Sequence, residues 1–127
     1  MKNLVVVLAA LISLSACQSR APSVRIVKPN NHALAVSALQ RVNSQAYACW
    51  PKDKDFKAYG IIPELDTTGT PRILIVPKGK PQSLPKLVIT ATGKGVTSFG
   101  PLAQSDLAPR INADLNRWAA GGTSCSA

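Results

Sequence analysis

Hydrolytic chemistry needs a nucleophile beside a base, or two carboxyl groups facing each other across a cleft. This 127-residue chain has a thin supply of either. Its acidic residues are Asp53, Asp55, Glu64, Asp66, Asp106 and Asp114, all placed in turns, at a helix start or on a helix face. Asp66 stands among turn formers. Asp106 stands where the first turn of a helix favours negative charge. Asp114 precedes Arg117 by three residues on an expected polar helix face, where a solvated ion pair accounts for both. Thr92-Gly93-Lys94-Gly95 has glycines and a lysine but lacks the strand-loop-helix setting and hydroxyl ending of a phosphate loop, so it reads as a hairpin turn. No catalytic residue set emerges, and the chain reads as non-enzymatic. The alternative is a cell-wall or lipid-acting enzyme that uses one of the scattered carboxylates.

The remaining reactive groups are Cys17, Cys49 and Cys125, and the first differs from the others in setting. Met1-Lys2-Asn3 carries a positive charge, Leu4 to Leu14 is apolar except for Ser13, and Gln18-Ser19-Arg20 ends the run. That run is well short of the roughly 20 apolar residues a bilayer-spanning helix needs, and its layout is that of a cleaved secretory signal. Leu14-Ser15-Ala16-Cys17 resembles the lipobox of bacterial lipoproteins. The resemblance implies that the Cys17 sulfur receives a diacylglycerol thioether, that the Ala16-Cys17 bond is cut and that the new amino group is acylated. Two or more acyl chains hold a protein stably in a membrane, whereas one does not. Gln18 in place of an aspartate after the cysteine resembles the outer-membrane-sorted class. The expected address is therefore the bacterial envelope, lipid-anchored, at the outer membrane facing the periplasm, with the inner membrane as the alternative.

With Cys17 lipidated, two cysteines remain in an oxidising compartment, where thiols pair. A Cys49-Cys125 disulfide is the expectation, closing a loop long enough to stabilise a small domain by about 4 kcal/mol on chain-entropy grounds. A reactive thiol has less support, because the chain has no Cys-X-X-Cys motif. Zinc needs several cysteines or histidines at short spacing, and only His32, Cys49 and Cys125 are left, so no metal site is expected. The covalent lipid on Cys17 is the only non-protein group the sequence implies.

The formal charge is +9, falling to +8 if the signal with Lys2 is removed. The surplus is spread thinly, with clusters only at Lys52-Asp53-Lys54-Asp55-Phe56-Lys57 and Lys78-Gly79-Lys80. A nucleic-acid binder shows a basic stripe interleaved with stacking aromatics. Here only Phe56 and Tyr59 lie near basic groups, and export would separate the chain from nucleic acid. The expected partners are the membrane, through its anchor, and either another envelope protein or an anionic envelope component. Inhibition of a host wall-degrading enzyme ranks last, since such enzymes are typically basic and would repel this chain.

The elements that must position these residues follow from periodicity. Residues 1–16 read as the signal, 17–31 as a lipidated N-terminus and tether rich in turn formers, and 32–127 as one small α+β periplasmic domain. Within the tether, Val24 to Val27 is a candidate edge strand. Asn30 or Asn31 is a candidate helix cap, followed by an apolar stripe at Ala35, Leu39, Val42, Ala46 and Cys49 that Trp50-Pro51 ends. Tyr59 to Leu65 and Arg72 to Val76 form one expected hairpin, with Pro63 marking an edge strand. Leu87 to Thr92 and Val96 to Phe99 form a second. Ser105-Asp106 are cap candidates for a last helix with its stripe at Leu107, Ile111, Leu115 and Trp118, stopped at Gly121-Gly122. The predicted fold is therefore an antiparallel sheet of about four strands, covered on one face by an N-terminal and a C-terminal helix and held by one disulfide. This order, with Cys49-Trp50 before the first hairpin and Cys125 after the last helix, resembles in pattern the carboxy-terminal domains of TolA and TonB proteins over residues 32 to 125. It departs from them in having no stalk and in its lipid anchor. Trp50 and Trp118 are candidate interface anchors, although packing around the disulfide is the preferred reading of both.

Overall fold

Asn30 folds the chain into helix at the first opportunity: its side-chain oxygen accepts from the Ala33 backbone N–H at 2.7 Å, satisfying a donor that helical hydrogen bonding leaves free. The computed structural model describes residues 30–66 and 68–126. The segments expected to be a signal and a tether, with Cys17 between them, lie outside them except for Asn30 and Asn31. Helix α1 spans Asn31–Cys49, so Asn30 and Asn31, assigned to the tether by composition, belong to the folded domain. Its buried residues are Ala35, Leu39, Val42, Ala46 and Cys49, the stripe read from the sequence. A 3-10 turn at Trp50–Lys52, containing Pro51, ends it.

Four strands follow: β1 Tyr59–Glu64, β2 Arg72–Pro77, β3 Leu87–Thr92 and β4 Gly95–Phe99. They form one antiparallel sheet in the order β1-β2-β3-β4. Pro63, which has no N–H to give to a ladder, lies in an edge strand. The register sets Ile73 opposite Ile89 and Ile75 opposite Leu87. All four are fully buried, on the face covered by helices. The continuous apolar run Ile73 to Val76 reads from sequence as the most buried strand, and Ile73, Ile75 and Val76 are buried. Leu74 alone in that run stands half-buried, on the face away from the helices, because side chains alternate along a strand.

A second 3-10 turn, Pro101–Gln104, leads into helix α2, Ala108–Ala119. Pro109 lies in its first turn, where a missing N–H costs nothing. Ser105 and Asp106 do not cap α2. Leu107 occupies the cap position without a side-chain hydrogen bond, while the Ser105 hydroxyl donates to the Leu102 carbonyl at 2.7 Å. The proline shifted the helix start past the expected cap. Gly121 has φ of +98°. Gly121 N–H donates to the Trp118 carbonyl and Gly122 N–H to the Arg117 carbonyl, a Schellman closure that requires the left-handed residue. The chain then returns to the end of α1, where Cys125 bonds to Cys49 with Cα atoms 5.2 Å apart, across 76 residues. The resulting α+β fold is the one expected.

Candidate functional site

The tail and the α1 end converge on a cluster that no single stretch of sequence contains. Trp50 and Phe56 stack with centroids 4.6 Å apart. Trp118 lies tilted against Trp50 at 5.4 Å. All three rings are at most 2% exposed. A candidate interface anchor must be presented to a partner, and neither tryptophan is. Their burial beside the Cys49–Cys125 bond places them in the core.

Asp114 corrects the sequence reading most sharply. It was assigned to a solvated helix face, yet it is 2% exposed. Trp50 Nε1 donates to its Oδ2 at 3.1 Å, and Arg117 donates to its Oδ1 at 2.5 Å. Arg110 approaches at 3.8 Å. The signal was available in the sequence: Ile111, Asp114, Leu115 and Trp118 follow the i, i+3, i+4, i+7 spacing of the apolar stripe itself. A carboxylate on that stripe must find buried donors.

Arg110 extends the network outward. It donates to Asp53 Oδ2 at 2.5 Å, lies 3.7 Å from Asp55, and stands over the Phe56 ring at 5.3 Å, within range for a cation–π contact. Hydrogen bonding from Arg110 holds the Asp53 carboxyl below its ordinary value of 3.8, and burial opposes that shift only in part. A carboxyl whose folded pKa is depressed adds stability above the unfolded value and loses it as pH falls through the folded one. The stability gap between wild type and Asp53→Asn should therefore be full and constant above about pH 5 and should close on acidification below pH 3.8. Urea midpoints measured across that range would show it, and a gap unchanged down to pH 2 would refute the linkage.

The remaining acidic residues divide by environment. Glu64 pairs with Arg72 on the sheet, while Asp66 and Asp106 are exposed in connections. The structure does not bring the scattered carboxylates together in a cleft: four of the six are paired with arginine. His32 is exposed in the first turn of α1. Thr92-Gly93-Lys94-Gly95 forms the turn between β3 and β4, with Lys94 N–H donating to the Thr92 hydroxyl at 3.2 Å. Among the described residues, no three His, Cys, Asp or Glu side chains gather as metal ligands.

A different kind of site lies on the uncovered sheet face, visible only through the register. Ile62 opposes Leu74, Leu74 opposes Val88, and Val88 opposes Phe99. One apolar row thus crosses all four strands, and Phe99 at its end is 55% exposed. The next row is Glu64, Arg72, Thr90 and Thr97. It carries the Glu64–Arg72 ion pair and a Thr90–Thr97 hydroxyl bond of 3.0 Å. A depression on this face is lined by Glu64, Thr70, Arg72, Val88, Thr90 and Phe99. Apolar surface bordered by polar groups is the layout of a protein contact. No protein-family model, curated protein or solved structure matches this chain.

Proposed function

We propose that this chain is a non-enzymatic, lipid-anchored protein of the bacterial envelope that works by binding another envelope protein on its outer sheet face. The observation that carries the binding role is the transverse row Ile62, Leu74, Val88 and Phe99 beside a polar row. Among the described residues, both α-helices pack on one side of the four-stranded sheet and neither covers the row on the other. Four aligned apolar side chains there supply an anchor, and Arg72, Glu64 and the two threonines supply hydrogen-bonding selectivity at its border. The address rests on the lipobox-like sequence ending at Cys17, with Gln18 favouring the outer membrane facing the periplasm.

The two halves of the proposal are tested separately. With a photo-crosslinking amino acid at Phe99 in the full chain in living cells, a discrete protein adduct should form, and the same probe at exposed Ala113 on α2 should give none. No adduct from Phe99, or the same adduct from both positions, would remove the sheet face as the binding site. For the anchor, Cys17→Ala should move the protein out of membranes washed at high salt. Salt-resistant retention of that variant would overturn the address.

A further inference from the structure

The two basic clusters that the sequence separates by twenty residues meet in the fold. Both the β1 start and the loop joining β2 to β3 lie at one end of the sheet, since Tyr59 pairs with Pro77. Lys78 N–H donates to the Ala58 carbonyl at 2.9 Å, and Lys86 N–H donates to Ile75 at 2.7 Å. The end of α1 delivers the turn that begins at Lys52 to the same end. Lys52, Lys54, Lys57, Lys78, Lys80 and Lys86 are therefore gathered at one pole, all exposed. Lys94 stands in the β3–β4 turn at the other pole, beside Asn31 and His32 at the start of α1. A 19-residue helix places those poles roughly 28 Å apart at 1.5 Å per residue.

Three features distinguish this pole from an ordinary solvated surface. Its two carboxylates, Asp53 and Asp55, share Arg110, so they offset only a small part of the charge of the six lysines. The nearest other carboxylates along the chain, Glu64 and Asp66, stand at the far end of β1 and in the connection beyond it. In the middle of the lysine loop stands Leu84, 85% exposed, between Ser83 and Pro85. A soluble polyanion would gain nothing from such a leucine, whereas a bilayer accepts it among the acyl chains while the surrounding ammonium groups meet headgroup phosphates.

We infer that the lysine pole, with Leu84 at its tip, docks on the surface of an anionic phospholipid bilayer. This contact is independent of the outer sheet face and does not require a lipid on Cys17. Each lysine near an anionic membrane surface contributes about 1 kcal/mol, so six of them with one inserted leucine form a salt-sensitive contact.

The test is amine-acylation footprinting of the full chain, resolved lysine by lysine, on vesicles of phosphatidylcholine with phosphatidylglycerol and on vesicles of phosphatidylcholine alone. The six polar-cap lysines should lose reactivity on the anionic vesicles at low salt and regain it at high salt. Lys94 should keep its reactivity throughout. Lys78→Ala combined with Lys80→Ala should weaken partitioning to anionic vesicles about thirtyfold, the equivalent of about 1 kcal/mol per lysine. Leu84→Ser, at a site too exposed to affect folding, should weaken it further while leaving the circular dichroism spectrum unchanged. Equal protection on both vesicle types, protection of Lys94 together with the other six, or no protection at all would overturn the inference. So would protection by soluble polyphosphate in the absence of protection by vesicles, which would identify a polyanion as the partner.

Discussion

Asp114→Ala is expected to lower folding stability by about 3 to 5 kcal/mol. Removing one member of a buried charge pair leaves its partner uncompensated, and that penalty exceeds the net value of the intact pair. Here the loss strands two donors, the Trp50 indole N–H and the Arg117 guanidinium. It also removes the junction between the turn after α1 and the middle of α2. Asp114→Asn should cost less, about 2 kcal/mol, because an amide oxygen can still accept from Trp50 while the charge facing Arg117 is lost. Urea unfolding followed by tryptophan emission measures both, since Trp50 and Trp118 report on this cluster. A loss below 1 kcal/mol for the alanine variant is what a solvated surface pair would give, and it would show that Asp114 is not buried as described.

The second large effect is expected from the disulfide. Replacing Cys49 and Cys125 together by alanine should remove about 4 kcal/mol, because the bond closes a loop over 76 residues and restricts the unfolded chain. The tail supplies a further reason. Ser124 accepts from Arg117 Nε at 3.0 Å and from Trp118 Nε1 at 2.9 Å, so a tail released from Cys49 would uncover the Trp118 indole and its neighbouring cation. The intact protein should weigh two hydrogens less than its reduced form, with no thiol at Cys49 or Cys125 open to alkylation. Two alkylated thiols in the non-reduced folded protein would refute the bond. The disulfide and Asp114 effects should not add, since Cys49 is bonded to Trp50 in sequence and both substitutions loosen one cluster. Either loss is large against the 5 to 15 kcal/mol that typically holds a domain together.

The helices and hairpins were legible because each is specified by its own residues. The α1 stripe needs only a helical period, and both hairpins need only β-rich runs separated by turn formers. Pro63 announced an edge strand by chemistry alone. The start of α2 was misread for an equally local reason: Ser105-Asp106 is a credible cap, but Pro109 supports a later start at Ala108, and the serine hydroxyl accepts from Leu107 N–H, ahead of the helix, while donating to Leu102. The candidate binding face was not legible at all. Ile62, Leu74, Val88 and Phe99 share no spacing in sequence, and a change of one residue in any hairpin register would have scattered them between the two faces.

By itself, the sequence determined the element order, the helix stripes, the pairing of Cys49 with Cys125 once Cys17 is set apart, and the expectation of a lipid-bearing N-terminus. Tertiary structure decided which polar groups became interior, which apolar groups stayed outside and which charges became neighbours. Asp114 was buried by the arrival of Trp50 from 64 residues away. Two modest lysine clusters became one basic pole because β1 and β2 run antiparallel. The physical reason is the same in each case. Local periodicity chooses the face a side chain takes on its own element, but the partner that meets that face is set by strand register and by helix packing across the whole chain.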